Sequence, residues 1–164
     1  MPASRSGLLF VFAFLILLPL PAVDTGLGAL APTGLRVEYL AEPIGIDVVE
    51  PRFSWVLNHA GRGQAQTACQ ILVSTSPTAA AGDQWDSGRV ASKQSVHVAY
   101  AGKALESGRT YYWKVRYWDK QNRASAYSRP SRFEMGLLKP GDWTGEWIGG
   151  GNTLRKAIVR AAKP

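Results

Sequence analysis

The groups with which this chain could do covalent or acid–base chemistry are few: one cysteine, two histidines and twelve carboxylates in 164 residues. Cys69 stands alone, so no disulfide can form within the chain. It sits in the apolar run CQILV, where a free thiol packs as a small hydrophobe. A catalytic thiol would need a histidine partner, and neither histidine shares a motif with it. His59 falls in the polar, Gly-rich stretch NHAGRGQ, and His97 is expected to point outward from a strand. Two isolated histidines and one thiol do not supply the ligands of a zinc site. The carboxylates are equally scattered. Asp83 and Asp86 bracket a turn and could form an acid pair or bind a cation, but such residues more simply cap turns through nearby backbone. Asp47 and Glu50 read the same way, and Asp119 opens the turn DKQN. The Gly-rich segment GDWTGEWIGGG lacks the lysine of a phosphate loop. No catalytic residue, metal site or cofactor is therefore predicted.

Binding chemistry is better represented. GRTYYWKVRYWD, residues 108–119, holds five aromatic rings. On a strand its side chains alternate between two faces. Tyr111, Trp113, Val115 and Tyr117 form one set, bulky and uncharged, and suit a core. Tyr112, Lys114, Arg116 and Trp118 form the other, where long cationic stems can lie over rings in contact with water. Tyr112, Arg116 and Trp118 are thus the candidate ligand-binding residues. Trp143 and Trp147 are four apart beyond the last strand and, with Leu137 and Leu138, are expected to pack between domains; the alternative for the tryptophans is stacking on a sugar. RGQAQT is most simply a connector running into a strand, and Arg52 is expected to pair with a carboxylate that sets strand registry.

Strands must position these groups, because the apolar period is two throughout. LRVEYL alternates Leu35, Val37 and Tyr39; PRFSWVL alternates Phe53, Trp55 and Leu57; TACQILVS alternates Cys69, Ile71 and Val73; SVHVAY alternates Val96, Val98 and Tyr100; SRFEM alternates Phe133 and Met135. Turn-rich breaks separate them. WDSGRV suggests a short extra strand, and only PTAAAG suggests a helical turn. The predicted fold is all-β: an antiparallel sandwich of about seven strands, fibronectin type III or immunoglobulin-like, with Phe53, Trp55, Tyr111, Trp113, Val115, Tyr117 and Phe133 in its core. Leu105 precedes Tyr111 by six residues with Ser107-Gly108 between them, a spacing that lets the Tyr111 hydroxyl turn back onto the upstream chain.

The formal charge is +7, yet residues 33–150 carry 14 Lys and Arg against 11 Asp and Glu. Both signs are interspersed there, so a nucleic-acid partner is not predicted. The chain opens with Arg5, an apolar run from Leu8 to Leu18, then Pro19, Pro21 and small residues, the plan of a secretory signal peptide. That run falls short of the roughly 20 residues of a membrane span. The expected organisation is a signal peptide over 1–31 with an uncertain cleavage point, a sandwich over 33–138, a linker over 139–152 and the start of a following β-domain over 153–164. The expected location is secreted or periplasmic, the alternative being membrane anchorage through an uncleaved leader.

LRVEYLAEPIGIDVVEPRFSW, RGQAQTACQILVSTS, the run from Asp83 to Asp119, FEMGLL and DWTGEWIGG together resemble the N-terminal fibronectin-type domain of bacterial α-L-rhamnosidases. The resemblance covers nearly all of residues 33–150. Cys69 departs from it, standing where the family often carries an aromatic, and is expected to loosen local packing. LRKAIVRAAKP resembles the first strand of the next β-domain in those enzymes, which makes the chain read as a fragment without the catalytic domain. The resemblance implies a parent that hydrolyses terminal α-L-rhamnose from glycosides with inversion, using a general acid and a general base about 6.5–9.5 Å apart on a distant helical barrel. None of those catalytic positions falls within this sequence. The implied role is a non-catalytic module that braces downstream domains of the same enzyme. The alternative is a carbohydrate-binding or adhesion module whose exposed rings contact rhamnose-containing glycans.

Overall fold

The computed structural model describes residues 28–145. Trp147 and the segment 153–164 lie outside the described residues. Eight strands form two sheets: β1 (Ala29–Val37), β2 (Arg52–His59), β3 (Ala68–Ser74), β4 (Trp85–Asp86), β5 (Val90–Ala91), β6 (Val98–Ala99), β7 (Thr110–Trp118) and β8 (Ser131–Glu134). One sheet has the order β1-β2-β6; the other runs β4-β3-β7-β8, with β5 also paired to β3, and every strand pairing is antiparallel. The short strands between β3 and β6 thus join the β3–β7 sheet. In a constant-type immunoglobulin the corresponding strand sits on the opposite sheet. Residues 29–31, grouped with the leader on sequence grounds, belong to β1, where Ala29 lies opposite His59 and Leu30 opposite Asn58.

Each sheet turns its apolar face to the other, and the core lies between them. Val37, Phe53, Trp55, Cys69, Ile71, Val73, Tyr111, Trp113, Val115, Phe133 and Met135 are all buried in it, and Tyr117 is buried at 1% exposure. The rings meet edge-on or tilted, as their quadrupoles favour: Phe53 is 4.6 Å from Trp113 and 5.7 Å from Phe133, while Tyr111 stacks on Phe133 at 5.6 Å. The Trp55 indole donates to Gln66 Oε1 at 3.1 Å, and Gln66 Nε2 donates to the carbonyls of Ser92 and Gln94. Gln66, within the connector RGQAQT, is therefore a buried tie between loops. The Tyr111 hydroxyl accepts the Glu106 N–H at 2.9 Å, closing the corner before β7. Cys69 borders a cleft of about 210 Å³ together with Trp85, Val90 and Val98; burial pushes its thiol above the ordinary range.

Hydroxyls complete the ladder where strands stop. Ser125 and Ser128 are buried beside β7, and their Oγ atoms accept the N–H groups of Tyr117 and Val115, both at 3.1 Å. On the other side of the sheet, Ser87 Oγ accepts the Ile71 N–H at 2.9 Å and bridges the break between β4 and β5. Without these oxygens, the ladder donors would be buried unpaired, at a cost of about 1–3 kcal/mol each.

Two alternation readings, and one expected helical turn, end differently in the structure. Tyr39 does not continue β1. Val37 and Leu40 exchange backbone hydrogen bonds of 2.9 and 3.0 Å around Glu38 and Tyr39, whose φ values are 46° and 71°. That is a tight reversal of the kind usually built from Asn-Gly. Here Arg52 holds it: its Nη2 lies 2.6 Å from Glu38 Oε2, its backbone N–H donates to Glu38 Oε1, and its guanidinium covers the Tyr39 ring. The hydrogen bonds from Arg52 keep the Glu38 carboxyl below its ordinary range despite partial burial. Val96 is 52% exposed because β6 shrinks to Val98–Ala99. PTAAAG forms a turn, with no helix.

Candidate functional site

The outer face of β7 gathers the candidate binding residues. Tyr112, Lys114, Arg116 and Trp118 are all half-buried there, alternating with the fully covered core set. Pairing with β3 places Gln70 opposite Arg116, Leu72 opposite Lys114 and Ser74 opposite Tyr112. Gln70 Oε1 accepts from Arg116 Nε at 3.0 Å and Nη2 at 2.7 Å, which fixes the guanidinium plane. That plane lies 4.9 Å from the Trp118 ring and 4.7 Å from the Tyr127 ring. Arg89 sits 5.0 Å from Trp118, and Lys114 Nζ 5.3 Å from Tyr127. A continuous ladder results: Arg89, Trp118, Arg116, Tyr127, Lys114. Each step is worth about 0.5–1 kcal/mol at such exposure.

Arg116 and Trp118 are thus brought together. Tyr112 lies further along the same face, where Lys114 reaches over to the Ala79 carbonyl. Sequence reading missed Arg89 and Tyr127. Tyr127 follows Ser125 in a segment without strand periodicity, and Arg89 follows Gly88 in the gap between β4 and β5. Only the cross-strand register reveals that both flank β7.

A second region is the end of the sandwich from which the chain continues past β8. Residues 44–49 run beside it: Ile46 bridges Met135 in parallel, and the Gly136 N–H donates to the Ile46 carbonyl at 2.7 Å. Ile44, Val48, Val49 and Leu137 are exposed on these two neighbouring segments. Leu138 packs against the core, and with Val49, Tyr100 and Leu105 it lines a cleft of about 460 Å³. Trp143, 55% exposed, follows the 3-10 turn Pro140–Asp142. A polar clamp holds this turn. Ser107 Oγ donates to Asp142 Oδ2 and accepts the Leu138 N–H at 3.0 Å, while Asp142 Oδ2 also accepts the Lys139 N–H at 2.9 Å. The Ser107 hydrogen bond, with the backbone donors, keeps the Asp142 carboxyl below its ordinary range. Segment 138–142 is therefore tied to the corner that Tyr111 closes.

The remaining reactive groups are engaged structurally. His59 is the last residue of β2, not a loop residue, and its side chain is only 6% exposed. Its Nδ1 accepts the Gly61 N–H at 2.8 Å, so the ring proton belongs on Nε2, 3.4 Å from Asp119 Oδ2. Asp119 is wholly buried; it also accepts the backbone N–H groups of Gln121 and Arg123 at 2.9 Å and Arg123 Nε at 3.0 Å. Burial pushes its carboxyl up, but hydrogen bonds from Arg123 and His59 outweigh this and leave it below the ordinary value. With both imidazole nitrogens occupied, this Asp–His pair has no nitrogen left to activate a nucleophile. Asp83 caps Thr75, accepting its N–H at 2.9 Å and its hydroxyl at 2.6 Å, and Asp86 accepts from Gly88 and Gln70. His97 packs edge-on against Tyr39 at 4.7 Å. Among the described residues no three His, Cys, Asp or Glu are grouped to hold a metal ion, and no helix is long and apolar enough to cross a membrane.

Comparison with known proteins agrees with this architecture. The family model described as "Rha78A-like, N-terminal immunoglobulin domain" matches residues 32–139. The α-L-rhamnosidase of Streptomyces avermitilis is 42% identical over 135 residues, covering 80% of this chain and 13% of that protein. One from Formosa agariphila is 40% identical over 126 residues, covering 73% of this chain and 13% of its own length. The crystal structure of the Streptomyces avermitilis enzyme complexed with L-rhamnose superimposes with a TM-score of 0.72 at 40% identity, over 76% of this chain and 12% of that one. The α-L-rhamnosidase structure from Dictyoglumus thermophilum gives 0.70 at 39% identity, over 74% and 14%. The chain thus spans about an eighth of these relatives, and it belongs to the family of Rha78A-like N-terminal immunoglobulin domains.

Proposed function

We propose that this domain is a non-catalytic module of a secreted or periplasmic α-L-rhamnosidase-like enzyme, and that it braces the domains that follow it. The parent would remove terminal α-L-rhamnose from glycosides with inversion, on a catalytic domain elsewhere. One observation carries the bracing role. The Ser107–Asp142 clamp fixes the continuing chain beside exposed Ile44, Val48, Val49 and Leu137. A tether would need neither a fixed exit nor an apolar rim, whereas a docked neighbour would need both. Leu137, Leu138 and Trp143 are the docking residues in this reading, with Trp147 beyond the described part of the chain.

The test uses an α-L-rhamnosidase carrying this domain in place. Val49→Glu with Leu137→Glu should lower the thermal midpoint of the whole enzyme and expose residues 139–152 to proteolysis. Rhamnoside turnover per folded molecule should stay within about twofold. An unchanged midpoint and an unchanged cleavage pattern would remove the bracing role. A second reading, saccharide contact through Tyr112, Arg116 and Trp118, is favoured by the ring–cation ladder.

A further inference from the structure

The cations of the ladder differ from the arginines that the domain sets against carboxylates. Arg52 pairs with Glu38, Arg109 with Glu106, Arg123 with Asp119 and Arg132 with Glu42. The three cations of the ladder bond only to neutral oxygens among the described residues: Arg116 to Gln70, Arg89 to the Asn122 side chain, Lys114 to the Ala79 carbonyl. One carboxylate, Asp86, lies nearby, and Gln70 and Gly88 already donate to it. The face therefore presents three positive charges in a row with two rings between them, none of the charges in an ion pair among the described residues and one carboxylate, Asp86, beside them.

We propose that this face binds a carboxylate-bearing polysaccharide, laid along the row with its carboxylates against Arg89, Arg116 and Lys114, the cations that cover Trp118 and Tyr127. A flexible cation would lose conformational entropy on meeting a ligand. Arg116 has already lost it, held by Gln70 and two rings, while its Nη1 has no protein partner among the described residues. The strand rise separates Lys114 from Trp118 by about 13 Å, room for a few linked sugars. A neutral glycan would use the rings and leave the cations without a purpose. A compact anion would use one cation and ignore the row.

The inference rests on the saccharide-contact reading and names its ligand class. The test titrates the purified full chain with three polymers, following tryptophan fluorescence and mobility in affinity gels. They are polygalacturonate, fully methyl-esterified polygalacturonate, and polyglutamate, which supply sugar with charge, sugar alone and charge alone. Polygalacturonate should bind, more weakly as salt screens the charges. The other two should bind at least about tenfold more weakly, the loss of one charge-assisted contact. Arg116→Gln and Arg89→Gln should each cost about tenfold in affinity, with the unfolding midpoint lowered only slightly and the domain fully folded at the assay temperature. Arg36→Gln, on the opposite sheet, should change nothing. Equal binding of the esterified polymer would overturn the carboxylate claim and leave saccharide contact standing. Equal binding of polyglutamate, or a matching loss in Arg36→Gln, would overturn it as mere charge attraction. Binding of no polymer would overturn the carboxylate inference, and a further titration with a rhamnose oligosaccharide decides the saccharide-contact reading separately.

Discussion

The two faces of β7 carry similar residue types and meet opposite fates. Tyr111, Trp113 and Tyr117 look inward and are at most 1% exposed; Tyr112 and Trp118, one position away, look outward and are half-buried. Ring chemistry does not make the difference. Inside, Phe53 from the opposing sheet and Phe133 from the neighbouring strand close over the rings. Outside, the Arg89 and Arg116 guanidiniums lie over Trp118, and the Lys114 ammonium lies over Tyr127 beside the strand. The inner rings contribute area removed from water, roughly 25 cal/mol per Å². The outer rings contribute contacts worth about a kilocalorie each and keep a surface open.

Breaking the inner face should produce the largest effect. Trp113→Ala should cost about 3–5 kcal/mol in a urea titration, through lost burial and the cavity left behind. Trp113→Phe sharpens the point. The Trp113 indole N–H has no hydrogen-bond partner among the described residues, so this change removes a donor unpaired there. Trp55→Phe removes a donor that satisfies Gln66 Oε1 and should cost more than Trp113→Phe by about 1 kcal/mol.

Next comes the hairpin at the end of β7. Asp119→Ala should cost about 3 kcal/mol, since it strands two backbone donors and the His59 and Arg123 side chains. Asp119→Asn should cost less, because an amide oxygen still accepts from the turn. The same residue shapes the acid limb. Its carboxyl titrates lower in the folded chain than in the unfolded one, as do those of Glu38, Asp83 and Asp142. The stability these groups contribute is complete above the ordinary carboxylate range and is lost as pH falls through and below it. Unfolding midpoints measured from pH 6 down to pH 2.5 should fall in that window, less steeply in Asp119→Asn.

Smaller again is the corner. Tyr111→Phe keeps the ring against Phe133 and leaves the Glu106 N–H without its acceptor, for about 1–2 kcal/mol. Because Ser107, in the same corner, also holds Leu138 and Asp142, hydrogen exchange at Leu138 and Lys139 should quicken in this variant. Unaltered exchange there would show that the clamp stands without the corner.

Period-two alternation made β2, β3, β7 and β8 legible, with the core, because each strand buries one face and the pattern is local. Leu105 and Tyr111 announced the corner for the same reason. Local pattern failed where a distant residue overrides it: Glu38 and Tyr39 read as strand, and Arg52, fourteen positions beyond Glu38, helps hold them in a reversal. It failed again for contacts across the sandwich. His59 and Asp119 are sixty positions apart, and no spacing rule joins them. The candidate binding face was half legible. Arg116 and Trp118 share a strand face, which alternation reveals. Arg89 and Tyr127 come from irregular segments beside it, where serine hydroxyls replace the ladder that would have left a periodic trace.

The smallest effect tests the outer face directly. Arg116→Gln removes the guanidinium from between Trp118 and Tyr127 and frees Gln70 Oε1. Two exposed cation–ring contacts and two hydrogen bonds to a half-buried amide oxygen disappear, and water replaces each partner. The cost to stability should be about 1 kcal/mol or less, a fraction of that for Trp113→Ala three positions away. Equilibrium unfolding of the two variants in one buffer makes the measurement. If Arg116→Gln unfolded the domain as readily as Trp113→Ala, the outer face would be a second packing layer, and the distinction between the two sides of β7 would be lost. A small cost leaves the ladder free to act on something outside the domain, because the fold does not depend on it.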